Sequence, residues 1–153
     1  MKAILILLLL CLTFSYKQKK AYEYAIEKIE EEEDEDDSYQ EQSQNEENAK
    51  FVSKCMIKGG ENFKNCEGKK DIKGRFLDST DLKNCLDLKK WNTTDVPKKG
   101  NPVFLKNTLN GGISHAMIIG DDLVTIRNKV LCCTIQPKKC THYSLRNLII
   151  YKS

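Results

Sequence analysis

The chain has 153 residues, 31% of them charged, and a formal net charge of +3. That length suits one domain built around one core, and the absence of internal repeats excludes a solenoid. Near-neutrality overall hides a split: Glu23 to Glu47 holds thirteen acidic residues against one lysine, whereas residues 48–153 carry twenty Lys/Arg and nine Asp/Glu.

In chain order, residues 1–15 read as a secretory signal: a lysine at position 2, an apolar run from Ala3 to Leu12, then the small-residue boundary Thr13-Phe14-Ser15. Ten apolar residues rise about 15 Å as a helix, half of a hydrocarbon core about 30 Å thick, so a membrane anchor does not fit. No later segment is apolar and long enough to span a bilayer, and the expected location is secreted, extracellular or lumenal. Signal removal takes Cys11 and leaves six cysteines, Cys55, Cys66, Cys85, Cys132, Cys133 and Cys140. An even number in an oxidising compartment predicts disulfides, with connectivity open.

Residues 16–153 then read as a single domain. Ala21, Tyr22, Ala25, Ile26 and Ile29 recur at helical spacing and predict a helix over 17–29. The acidic stretch 30–47 follows as a solvated loop, because consecutive like charges repel and bring nothing to bury. Asn48 is a preferred N-cap, with Phe51, Val52, Cys55 and Met56 on one face and Gly59-Gly60 as the stop, which predicts a second helix. Ser79 or Thr80 would cap a third, with Leu82, Cys85, Leu86 and Lys89 along one side.

Beyond Trp91 the pattern turns to short β-branched runs: 103–105, 114–119, 123–126, 130–134, 143–145 and 148–151. Asn110-Gly111-Gly112 and Gly120-Asp121-Asp122 read as the turns between them. Helices first and a meander afterwards predict an α+β fold, its N-terminal helices packed on one face of a small antiparallel sheet. Asn92-Thr93-Thr94 is the one N-glycosylation sequon. No cysteine and histidine spacing suits zinc, no cofactor is implied, and no aromatic-interleaved basic motif suggests nucleic acid.

Several words of the chain resemble those of the amidase-domain family within the papain-like and NlpC-like cysteine amidases and peptidases. Glu47 to Met56 (ENAKFVSKCM) resembles the nucleophile word DCTNFVSQCL, and Lys58-Gly59-Gly60 its AGG ending. Pro97 to Phe104 resembles P-x-x-GD-x-VF with Asn101 for aspartate, Gly112 to Ala116 resembles G-x-SH-A, and the stretches 131–134 and 140–145 resemble AHT-NDRCDYSL. The resemblance implies a papain-like fold and a thiolate at position 48, activated by the helix dipole and by His115, with a third orienting group near Cys133.

Asn48 stands where the thiol belongs and has no nucleophilic atom. Cys55 lies about 10 Å along the same helix, out of reach of the same histidine. The expectation is therefore a secreted, catalytically silent amidase-like protein acting by recognition of a peptide, a cell-wall fragment or an anionic surface polymer. The competing expectation is an active amidase or peptidase with Cys133 as a relocated nucleophile, and a third is a small disulfide-stabilised binding protein.

Overall fold

The computed structural model of the protein describes residues 16–31 and 41–153. The signal segment and the core of the acidic run lie outside the described residues. Three α-helices, α1 (Gln18–Glu30), α2 (Glu41–Lys58) and α3 (Ser79–Leu88), precede six strands: β1 (Asn92–Thr94), β2 (Pro102–Lys106), β3 (Ile113–Val124), β4 (Lys129–Ile135), β5 (Lys138–Ser144) and β6 (Leu148–Lys152). The strands form one antiparallel sheet in the order β1-β6-β2-β3-β4-β5. This is the α+β arrangement the sequence predicts.

Two apolar layers flank the sheet. On the helix side Ala21, Ala25, Val52, Met56, Leu82 and Leu86 meet Phe104, Ala116, Ile118 and Tyr151. On the other side Val103, Met117, Ile119, Val130, Cys132 and Ile150 form a second, smaller cluster. The alternation of β2 and β3 produces this split, since neighbouring strand residues point to opposite faces. Each fully buried Leu, Ile or Phe contributes roughly 1.5–3 kcal/mol relative to exposure. Trp91 packs in the helix-side core, its ring edge-on to Tyr16 at 5.0 Å.

Buried polar side chains fix how the helices sit on the sheet. Ser53 Oγ accepts from the Phe76 amide at 3.1 Å, and Ser79 Oγ accepts from the Ala116 amide at 3.0 Å. Asn45 spans α2 and the start of α3, donating to Asp78 Oδ2 and accepting from the Ser79 amide. The entry of α1 is clamped by Tyr16, whose hydroxyl donates to the Gly100 carbonyl at 2.6 Å. Gly100 has φ +86°, and a Cβ there would lie 2.0 Å from the Gln18 carbonyl oxygen, so only glycine allows this approach.

Several local expectations need correction. The second helix starts at Glu41, so Asn48 lies two turns inside it and is not its N-cap. The Glu and Gln residues upstream of Asn48 are good helix formers, and Asn45 ties them to α3. Accordingly residues 41–47 are helical and Glu30 ends α1. The third helix is capped by Asp78, whose carboxylate accepts from the Thr80 and Asp81 amides, one residue ahead of the expected caps.

Gly120-Asp121-Asp122 is no turn. β3 runs through it to Val124 with a register shift, because a Cβ at Gly120 would meet Cys133 Sγ at 2.8 Å and glycine leaves that space open. β5 begins at Lys138, five residues earlier than its apolar pattern suggests, since it is an edge strand where lysines are tolerated. β1 has only three residues and carries no alternating apolar signal.

Four of the six described cysteines are paired, Cys66 with Cys85 and Cys133 with Cys140. Cys55 and Cys132 are buried free thiols. They lie in the two different apolar clusters, with the sheet between them, which keeps them from each other.

Candidate functional site

The β4–β5 turn, Gln136-Pro137 with a cis peptide bond, leans against the middle of α2. Asn48 makes the connection. Its carboxamide oxygen accepts from the amides of Ile135 at 3.0 Å and Gln136 at 2.9 Å, and its nitrogen donates to the Gln136 carbonyl at 2.8 Å. The residue is fully buried. The turn is braced from within by Thr134, whose hydroxyl donates to the Pro137 carbonyl at 2.6 Å.

His115 lies near the start of β3. It pairs with Leu105 beside a bulge in β3. On its other side β3 pairs with β4 in antiparallel register through Ile118 with Cys133 and Ile119 with Cys132. Asn48 reaches Gln136 from the helix layer.

Cys133 is elsewhere. It lies opposite Ile118 and is bonded to Cys140 directly across β4 and β5, so it offers neither a thiol for attack nor a group to orient His115. The relocated dyad is overturned on both counts. The free thiols do not replace it. Burial pushes the Cys55 thiol far above its ordinary range, and burial pushes Cys132 up to about 12, so both stay protonated at neutral pH. His142 is exposed on the edge strand β5. Among the described residues no group of three or more His, Cys, Asp or Glu is placed to hold a metal ion.

Beside the turn opens a cleft of about 260 Å³ between α1, α2 and the start of β5. Lys28, Lys50, Lys54, Arg75 and Lys138 bring five positive charges to it, against Glu31 and Glu47; Tyr24, Phe51 and Ile135 supply apolar wall. Some of this charge is internally matched. Lys28 meets Glu31 at 2.5 Å, Lys50 meets Glu47 at 2.9 Å and Glu46 at 3.1 Å, and Arg75 is locked on Asp71 at 2.5 Å. The hydrogen bonds to Glu31 and Glu47 raise the Lys28 and Lys50 ammonium groups, and the same bond holds the Glu31 carboxyl below its usual range. Lys138 donates to the Glu31 carbonyl, and Lys54 lies 5.4 Å from the Tyr24 ring centre.

These cleft residues escaped the sequence reading, although a signal was present. Lys50, Lys54 and Lys58 recur every four residues, which puts them on one helix face. Tyr24 and Lys28 repeat the same spacing on α1. What links the two rows is the packing of α1 on α2, which no local pattern announces.

No described helix is long and apolar enough to cross a membrane. No protein-family model, no curated protein and no solved structure matches this chain.

Proposed function

We propose that the protein is a secreted, non-catalytic binding protein on an amidase-like, papain-like scaffold, and that it recognises an anionic ligand rather than cleaving an amide. The observation that carries this reading is the carboxamide at position 48. It is sealed from solvent, and its oxygen and nitrogen are both spent on the main chain of the β4–β5 turn, so a substrate carbonyl finds neither a nucleophile nor room there. The two disulfides suit an oxidising compartment, and the cleft beside the turn is rich in lysine.

Incubation of the mature chain with peptidoglycan fragments and peptide amides is expected to give no turnover above that of a His115→Ala variant. Iodoacetamide at pH 8 is expected to leave the folded protein unlabelled, and to label two cysteines per chain once it is unfolded without reductant. Turnover that disappears in His115→Ala, or stoichiometric labelling of the native protein, would refute the non-catalytic reading.

The sequon belongs to the same reading. Asn92 is exposed on β1, which pairs on one side only, with β6. A glycan there would cover a sheet edge otherwise open to another chain. Expression through a secretory pathway is expected to yield a heavier form that collapses to the polypeptide mass after enzymatic deglycosylation, and that Thr94→Ala does not produce. A single unmodified species from such cells would reject this assignment.

A further inference from the structure

Lysines gather around Tyr24. The Nζ atoms of Lys54, Lys58 and Lys28 lie 5.4, 5.6 and 5.7 Å from its ring centre. Three ammonium groups so close to one ring repel one another. The ring face offsets part of that repulsion. Of the three, only Lys28 has a carboxylate partner among the described residues, Glu31.

The feature is longer than one pocket. A second cavity of about 680 Å³ shares Tyr24, Lys28 and Lys54 with the first and continues past Lys58 to Lys20. Glu23 and Glu27 also line it, and Glu23 is engaged by Lys19 at 3.8 Å. Along α2 the row Lys50, Lys54, Lys58 rises about 6 Å per step, so positive charge repeats along an open track rather than converging on a point.

The geometry points to a linear sulfated polysaccharide as the ligand of this track. This deepens the binding reading given above and rests on it. An extended track calls for a polymer with anions at intervals. Lysine ammoniums are point charges that accept a sulfate ester in any orientation, whereas side-by-side recognition of carboxylates favours the guanidinium fork. The one arginine at the track, Arg75, already donates its Nε to Asp71 at 2.6 Å, which leaves an acidic peptide without its best receptor. The Tyr24 ring, already ringed by ammoniums, is a poor stacking platform for a nucleotide base.

The test uses the full mature chain and heparin as the probe, with the same polymer after desulfation, poly-glutamate and a DNA duplex as comparators. Heparin is expected to bind with an affinity that falls steeply and log-linearly with salt, and desulfation is expected to weaken it at least tenfold. The double variant Lys54→Glu/Lys58→Glu is expected to lose tenfold or more while keeping its circular dichroism spectrum and melting temperature. The control Arg146→Glu/Lys152→Glu changes net charge equally at exposed residues outside the track and is expected to lose no more than twofold. Equal losses in the two variants, tighter binding of poly-glutamate or DNA, or indifference to desulfation each overturn the assignment. Amide turnover, by contrast, sinks only the non-catalytic reading and leaves this binding comparison readable.

Discussion

Replacing Asn48 by alanine is expected to lower stability by about 3 kcal/mol, because it leaves partly buried main-chain donors and an acceptor of the β4–β5 turn without partners, at roughly 1 kcal/mol for each such group. The groups are the Ile135 and Gln136 amides and the Gln136 carbonyl. For a chain of this size the melting temperature should fall by roughly 10 °C. Hydrogen exchange locates the effect: the Ile135 and Gln136 amides should lose protection well before those of β2. A variant that melts within a degree or two of the parent, with those amides still protected, would show that the turn holds itself and that Asn48 is incidental.

The same substitution separates two histories of the residue. A carboxamide left over from a lost nucleophile is dispensable, whereas one that clamps a turn is not. Asn48 has three hydrogen bonds of 2.8 to 3.0 Å and no solvent contact, so the structural role is the one its geometry supports. A thiol in its place could make neither the double acceptance nor the strong donation. Asn48→Cys is therefore expected to destabilise too, and its position deep in α2 deprives it of the first-turn amides that lower a thiol's pKa.

Removing the Cys66–Cys85 disulfide is the second large effect. The bond spans 19 residues and fastens the irregular stretch after α2 to the buried face of α3. Chain-entropy bookkeeping assigns about 3 kcal/mol to a loop of this length and about 2 kcal/mol to one of seven residues, the span of Cys133–Cys140. The Cys66→Ala/Cys85→Ala double variant should thus melt lower than Cys133→Ala/Cys140→Ala, and both lower than the parent. The difference widens on structural grounds, since β4 and β5 keep seven paired positions without their bond. By contrast the 61–78 segment has few regular hydrogen bonds, its one bridge being Lys70 with Phe76 among the described residues. Limited proteolysis should cut the first variant between residues 61 and 78. The opposite order of melting, or a first cut in β5, would place the dominant staple at the other end of the molecule.

The helices and most strands were legible in the chain because each buries one face against a single layer. Ala21 and Ala25 on α1, Val52 and Met56 on α2, and Leu82 and Leu86 on α3 are spaced by the turn of the helix, and all are buried as that spacing demands. His115 could likewise be picked out as a strand residue at the edge of an apolar run. Where the reading failed, a distant partner set the outcome. Asn48 has the chemistry of a cap, yet its side chain binds a turn 87 residues away, so the helix simply continues through it. Cys133 looked free to serve a histidine until the pairing of β4 with β5 brought Cys140 opposite it.

By itself, then, the sequence determined the periodic matters: an α+β order of elements, which faces are buried, and a body of positive charge. Those depend on residues within a turn or two of each other. Tertiary structure alone decided the disulfide partners, the sealing of position 48 by Gln136, and the joining of two lysine rows into one track around Tyr24. Each of those depends on which elements become neighbours in space, and that is fixed by the packing of whole faces rather than by any local word.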